Sequence, residues 1–151
     1  MMHEHFMRAA LAEARLAYEL GETPVGAVVV RHGQIIGRGH NWRETGHDPT
    51  AHAEMLAIRQ ASLALGGWRL LDCTLYVTLE PCLMCAGAMV LARLPHLVYG
   101  APDPKAGVAG SVMDVLSTNQ LNHRVLVVGG VLAAECGSLL KEFFKELRQS
   151  K

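Results

Sequence analysis

The stretch Glu80-Pro81-Cys82-Leu83-Met84-Cys85 constrains this chain more than any other. It follows Cys73 to Leu79 (Cys-Thr-Leu-Tyr-Val-Thr-Leu), a run rich in β-formers that reads as a strand. Pro81 suits the first turn of a helix and not the interior of a sheet. A strand therefore passes into a helix within two residues, and two thiols ride on the first turn of that helix. At i and i+3 both sulfurs share one face. The unpaired backbone N–H groups of the helix start point the same way and favour thiolate over thiol.

Upstream lies His52-Ala53-Glu54. Asp48-Pro49-Thr50 reads as a helix start, with a capping residue and a proline tolerated in the first turn. His52 and Glu54 then fall in the first turn of a helix that runs to about Leu65 and closes at Gly66-Gly67. Residues two apart on a helix flank point away from each other. Both reach one ion only if the helix end, rather than its flank, faces that ion.

The donor set of His52, Cys82 and Cys85 gives zinc one imidazole and two thiolates and leaves one coordination position to water. Glu54 is left over as an acid–base group able to move a proton between that water and a substrate. Such a site suits hydrolytic attack on an electron-poor carbon with an amine as leaving group. Cys-x-x-Cys alone also fits a redox pair, half of a structural zinc site, or two core cysteines. A redox pair has no use for His-x-Glu, and the remaining histidines show no ligand spacing that would complete a structural site.

The rest of the chain fills in around these two helix starts. Residues 3–20 read as an amphipathic helix, with Phe6, Ala10, Ala14, Ala17 and Tyr18 at helical spacing and Gly21 placed to end it. Ala27 to Val30 is a strand, His32-Gly33 a turn, and Gln34 to Arg38 a returning strand. Residues 39–49 form a polar loop. The cysteine-bearing helix runs from Pro81 to about Arg93, and His96 to Tyr99 is a fourth strand. Residues 100–122 are irregular, with one helical turn expected at Val112–Leu116; a loop of that length inside a compact domain usually serves function. Arg124 to Val128 is a fifth strand. Val131 to Arg148 is a last helix with an interruption expected near Gly137. The order predicts one α/β domain over residues 1–151, a five-stranded mixed sheet with helices on both faces.

Half of the 151 residues are hydrophobic and 19% are charged, enough apolar material for a real core. Formal net charge is zero, so any nucleic acid must be held by a local basic patch. Residues 1–20 lack the central apolar block of a secretory leader, and no apolar run approaches the ~18 residues of a membrane span. Cys73 and Cys136 sit in apolar stretches and read as buried free thiols, which fits a reducing cytoplasm.

His-x-Glu followed by Pro-Cys-x-x-Cys resembles the signature of the zinc-dependent nucleobase deaminases. The likeness extends through Pro24–Val28, His47–Glu54, Thr78–Ala88, Gly110-Ser111 and Asn122-His123-Arg124, covering about residues 6 to 148. Asp103-Pro104-Lys105-Ala106-Gly107-Val108-Ala109-Gly110-Ser111 is similar to the bacterial tRNA-specific adenosine deaminases, the TadA type. The resemblance implies a three-layer α/β/α cytidine-deaminase-like fold, with His52, Cys82 and Cys85 as ligands of one Zn2+ and Glu54 as the catalytic proton shuttle. Asn41 matches the asparagine that hydrogen-bonds the flipped nucleotide. The implied activity converts adenosine to inosine at the wobble position of an arginine tRNA anticodon, in a cytoplasmic homodimer with RNA crossing both subunits. Pro102, Pro104 and the stretch Trp42-Arg43-Glu44 depart locally from the family pattern, near groups that would hold neighbouring nucleotides.

On that implication the last helix lies beside the substrate channel. Phe144 or Arg148 is then expected to contact a splayed anticodon nucleotide, Lys105 a phosphate, and Asp103 a ribose 2′-OH. A deaminase of a free base or nucleoside shares the chemistry, and the 103–111 segment with Asn122-His123-Arg124 speaks against it. A zinc-stabilised RNA-binding module without catalysis has no use for Glu54.

Overall fold

The computed structural model describes residues 2–150. The chain runs α1 (Met2–Glu19), β1 (Gly26–Arg31), β2 (Gln34–His40), α2 (Ala53–Leu65), β3 (Cys73–Leu79), α3 (Leu83–Leu91), β4 (His96–Ala101), β5 (Leu126–Val128) and α4 (Ala133–Gln149). One five-stranded sheet takes the order β2-β1-β3-β4-β5. β1 is antiparallel to both β2 and β3, and β3, β4 and β5 are parallel. Helices cover both faces, as the sequence order predicts.

β1 shows why its sequence reads as an unbroken apolar run. Ala27 and Val29 face one core with Ala53, Ala57 and Ala61 of α2 and Ala86 and Met89 of α3. Val28 and Val30 face the other with Phe6, Met7, Ala10 and Leu11 of α1 and Cys136 of α4. A strand covered on both faces has no polar side to show. The β1–β2 hairpin turns at His32 (φ 50) and Gly33 (φ 76), two successive left-handed residues as a two-residue hairpin turn requires.

The placement of α2 rests on small residues. A Cβ at Gly37 would lie 2.3 Å from the Ala57 carbonyl oxygen, and one at Gly39 would lie 2.3 Å from that of Ala53. The helix backbone therefore presses directly onto β2 through its alanine face. That contact fixes the end of α2 where His52 and Glu54 sit.

Several expected boundaries move. α2 starts at Ala53, not at Asp48-Pro49-Thr50. Asp48 Oδ1 instead accepts the Thr50 N–H at 2.8 Å and the Thr50 hydroxyl at 2.7 Å, closing a local turn ahead of the helix. α3 begins at Leu83, with Cys82 as N-cap and Pro81 ahead of it. No helical turn forms at 112–116. There Asp114 Oδ1 accepts the N–H groups of Leu116 and Ser117, and Ala109 bridges to Asp114. β5 is shorter than Arg124–Val128 because Val125 N–H donates to the Leu116 carbonyl, in the preceding loop. α4 is continuous through Gly137. A glycine inside a helix costs about 1 kcal/mol without removing a backbone hydrogen bond, which a 17-residue helix tolerates.

Candidate active site

His52 and Cys82 are the N-cap residues of α2 and α3, one position ahead of the first turns in which sequence places them. Both have extended backbone, φ −80° and ψ 151° for His52, φ −79° and ψ 176° for Cys82, and neither side chain caps its own helix. N-cap side chains usually turn back onto the helix N–H groups. Here they turn forward and meet. His52 Nδ1 lies 3.5 Å from Cys82 Sγ and 3.5 Å from Cys85 Sγ. The three donor atoms all fall within 4.8 Å of one another, and no other set of three or more His, Cys, Asp or Glu side chains among the described residues does so.

The cluster's charges follow from its crowding. Hydrogen bonding from Cys85 is the largest influence on the Cys82 thiol, and with His52 it outweighs burial and brings the thiol down to about 3. The Cys82 sulfur in turn raises His52. Cys85 is pushed far up, first by its hydrogen bond to Cys82 and then by burial. The three groups thus share protons that a bound cation would displace. Two sulfurs and one imidazole nitrogen in a half-buried pocket fit a borderline-soft ion such as Zn2+. Glu54 is 4% exposed, and burial pushes its carboxyl up to about 7 against the opposing pull of its own backbone N–H and His52.

The cluster opens into a cleft of about 170 Å³ lined by His52, Glu54 and Cys82 together with Asn41, Arg43, Thr23, Val25, Leu79, Glu80, Asp103 and Ala106. Asn41 is buried, its backbone N–H donates to the Val25 carbonyl at 3.1 Å, and its side-chain oxygen has no partner within the chain. An amide oxygen on a cleft wall with no partner in the chain is able to accept a hydrogen bond from a group in the cleft. Asp103 reaches the same cleft, with its Oδ1 engaged by the Lys105 and Ala106 N–H groups of its own turn. Lys105, Phe144 and Arg148 gather elsewhere, around a second hollow of about 350 Å³ shared with Leu147. Only Pro104 separates Asp103 from Lys105, so the 103–105 segment joins the two hollows. Phe143 is buried and meets Tyr18 edge to face, while Phe144 is 41% exposed.

Sequence reasoning passed over the groups that hold the cleft walls. Glu22 is 1% exposed and accepts the Glu44 N–H, the Thr45 N–H and the Thr45 hydroxyl, pinning the loop that carries Asn41 and Arg43. Burial works to raise the Glu22 carboxyl, but the Thr45 and Glu44 hydrogen bonds and the Arg43 charge outweigh it and hold the group below its usual range. Glu80 does the same for the opposite wall. Its carboxylate accepts from Asp103, Ala109 and Ser111 N–H and from the Ser111 hydroxyl. The available signal was a lone acidic residue at the edge of an apolar segment in each case, Glu22 after α1 and Glu80 after β3. His123, read above as a substrate-branch marker, bonds the Leu94 carbonyl through Nε2 at 2.7 Å and so anchors the far end of the long loop.

A mixed sheet that aims two helix starts at one open His–Cys–Cys cluster, with a buried carboxylate beside it, defines the hydrolytic deaminase class. Residues 1–148 match the MafB19-like deaminase family. The chain belongs to that family and, within it, to the bacterial tRNA-specific adenosine deaminases. It is 55% identical to the tRNA-specific adenosine deaminase of Bacillus subtilis (strain 168) over 98% of this chain and 92% of that one. A solved tRNA:A34 deaminase, described for A-to-I editing at the wobble position of transfer RNA, superposes with a TM-score of 0.87 at 46% identity, covering 90% of this chain and 99% of that one. The guanine deaminase of Nitrosomonas europaea has the same fold at 26% identity and a TM-score of 0.81, covering 93% and 83% of the two chains.

Glu22 supplies a pH test of this architecture. A carboxyl held low in the folded state adds stability that is present above its unfolded pKa and is lost as pH falls through the folded value. Glu22→Gln is expected to lower stability at pH 7 by ~1–3 kcal/mol, the cost of leaving buried donors without their acceptor. The gap to wild type should shrink in denaturant titrations taken below pH 4.5, the group's ordinary value. A gap independent of pH would mean that the ionised carboxylate is not what holds residues 44–45.

Proposed function

We propose that this protein hydrolyses adenosine to inosine at the wobble position of an arginine tRNA anticodon, as a cytoplasmic homodimer that holds one zinc ion per chain. The observation that carries this reading is the setting of Glu54: a buried carboxylate two residues from His52, on the wall of the cleft that also holds the unpartnered Asn41 amide. The Bacillus subtilis relative is a tRNA-specific adenosine deaminase and the solved neighbour acts on A34 of transfer RNA, both at far higher identity than the guanine deaminase. Among the described residues no helix is long and apolar enough to cross a membrane.

His52, Cys82 and Cys85 hold the metal in this reading. When bound, zinc supplies the Lewis acidity that makes water a nucleophile near neutral pH. The chain's own residues do the rest. A base inside a stacked loop cannot reach a cleft of this size, so the adenine must be flipped out of its stack to enter. Asn41 orients the flipped nucleotide through the side-chain oxygen that lacks a protein partner. Water adds to C6; Glu54 takes the proton it gives up and passes it to N1. The hydroxyl now on C6 gives up the second proton, which the same carboxylate carries to the exocyclic amine; the C6–N bond breaks, ammonia leaves, and C6 keeps the oxygen as the inosine carbonyl. Burial of Glu54 keeps bulk water from short-circuiting these transfers.

The second hollow serves neighbouring nucleotides. Lys105 and Arg148 neutralise phosphates, and the exposed ring of Phe144 offers a stacking platform. Asp103, whose Oδ1 is taken by its own turn, has Oδ2 for a ribose 2′-OH, a group that DNA lacks.

One assay separates the possible activities. Zinc-loaded protein is incubated with an arginine anticodon stem-loop carrying the wobble adenosine, and separately with adenosine, cytidine and guanine, and inosine and ammonia are measured. Inosine in the stem-loop alone is expected. Ammonia from a free base or nucleoside would assign the site to that substrate class, and RNA binding with no product would leave a binding module. Glu54→Ala should keep one zinc per chain and lose at least ~100-fold in turnover, the usual contribution of a general acid–base group. Loss of the metal instead would make Glu54 a ligand. For the second hollow, Phe144→Ala and Arg148→Ala should each slow single-turnover deamination of the stem-loop at subsaturating enzyme by roughly tenfold, as the loss of one stacked base or phosphate contact implies. Rates equal to wild type would remove these residues from the RNA path.

A further inference from the structure

Glu80 precedes the cysteine pair by two residues and lines the same cleft, yet its carboxylate oxygens are taken up by the loop that follows β4. It is 2% exposed. It accepts the Asp103 N–H at 3.0 Å, the Ala109 N–H at 2.9 Å, the Ser111 N–H at 3.1 Å and the Ser111 hydroxyl. Gly107 passes so close that a Cβ there would lie 2.4 Å from Glu80 Cδ. The neighbouring backbone completes the wrap: Val108 N–H donates to the Pro81 carbonyl, and Glu80 N–H donates to that of Ala101. The loop is thus folded around one ionised side chain. Burying an unpaired carboxylate is costly, and four donors are what make it tolerable. Those donors are spread over residues 103 to 111, which supply one wall of the cleft through Asp103 and Ala106 and part of the second hollow through Lys105.

We infer that Glu80 is a positioning residue for substrate recognition: it sets the 103–111 loop in the shape that holds the nucleotides flanking the target base, and it ties that shape to the turn bearing Cys82. This rests on the RNA reading above. It assigns to Glu80 no contact with the reacting atoms. A carboxylate is suited to the task because it alone among side chains of this size accepts several backbone N–H groups at once. Glutamine, of the same volume, would set an amide NH2 against N–H donors and break the arrangement.

The test uses the zinc-loaded full chain with Glu80→Gln and Ser111→Ala on the arginine anticodon stem-loop. It reads kcat, KM, zinc per chain and amide hydrogen exchange of residues 103–111. For Glu80→Gln, KM should rise about tenfold with kcat within about threefold of wild type, the signature of lost binding that ground and transition states share. Zinc should stay at one per chain, and the loop amides should exchange faster while those of β1 and β3 do not. Ser111→Ala, a change at an exposed residue that removes one of the four donors, should move KM the same way by about twofold to threefold. The KM effects of Glu80→Gln and Lys105→Ala should fail to add, since both act through one loop. Unchanged KM and unchanged loop exchange in folded, zinc-loaded Glu80→Gln would overturn the inference. So would a fall in zinc and kcat at constant KM, which would assign Glu80 to the metal-bearing turn alone. If Glu80→Gln does not fold, Ser111→Ala decides, and wild-type KM there overturns the proposal. If wild type fails to deaminate the stem-loop, the RNA reading fails, while loop exchange still reports whether Glu80 anchors the segment.

Discussion

The helices that begin at His52 and Cys82 lack a side-chain cap, and the site uses the side chains this leaves free. His52 and Cys82 occupy the positions where a serine or aspartate would normally satisfy the first N–H groups. Forgoing such a cap costs about 1 kcal/mol per helix. A metal bound by two thiolates and an imidazole contributes on the order of 10 kcal/mol in small zinc folds, so holding an ion offsets both missing caps several times over. The extended backbone at each N-cap is the ordinary one for that position; what differs is that the two side chains meet each other and not their own helices. The geometry in turn depends on the sheet: β3 delivers Cys82 at its carboxyl end, and the close passage of Gly37 and Gly39 under α2 holds His52 opposite.

The walls of the cleft are built by a different device. Neither the loop after β2 nor the loop after β4 has regular structure to hold it, and each is organised around one buried carboxylate. Glu22 lies at the end of α1 and gathers residues 44–45; Glu80 lies at the end of β3 and gathers residues 103–111. In both, backbone N–H groups that a loop would otherwise give to water are turned inward onto a charge. Charge-assisted hydrogen bonds are about twice as strong as neutral ones, so a few of them fix a long irregular segment where apolar packing is thin. The cleft therefore has a rigid floor of helix starts and walls shaped by electrostatics.

This division explains what was legible in the sequence. The donors His52, Cys82 and Cys85 and the carboxylate Glu54 could be read because they are local: spacing, a proline and a helix start bring them together in pairs, and periodicity supplies the elements that carry them. The five strands follow from the same short-range patterns. Asp48 misled because aspartate serves an Asx turn and a helix cap with the same carboxylate, and only the position of Thr50 decides between them. Glu22 and Glu80 were unreadable for a deeper reason. Each works by accepting bonds from residues more than twenty positions away, and the donors are backbone groups that every residue has. No side-chain pattern marks them.

The same division bears on how one scaffold hosts different substrates. The guanine deaminase neighbour keeps this fold at 26% identity, so the sheet and helix starts tolerate wide sequence change around an unchanged architecture. What a free base and an anticodon loop ask of a protein differs outside the reacting ring: one needs a closed pocket, the other a groove that continues past it. Here the continuation is physical, since Asp103 on the cleft wall and Lys105 in the second hollow belong to one tight turn. A loop pinned by an internal charge can be reshaped by exchanging its residues while its acceptor stays fixed, and the cysteine-bearing turn next to that acceptor is left undisturbed. Substrate choice can then change without the chemistry having to be rebuilt.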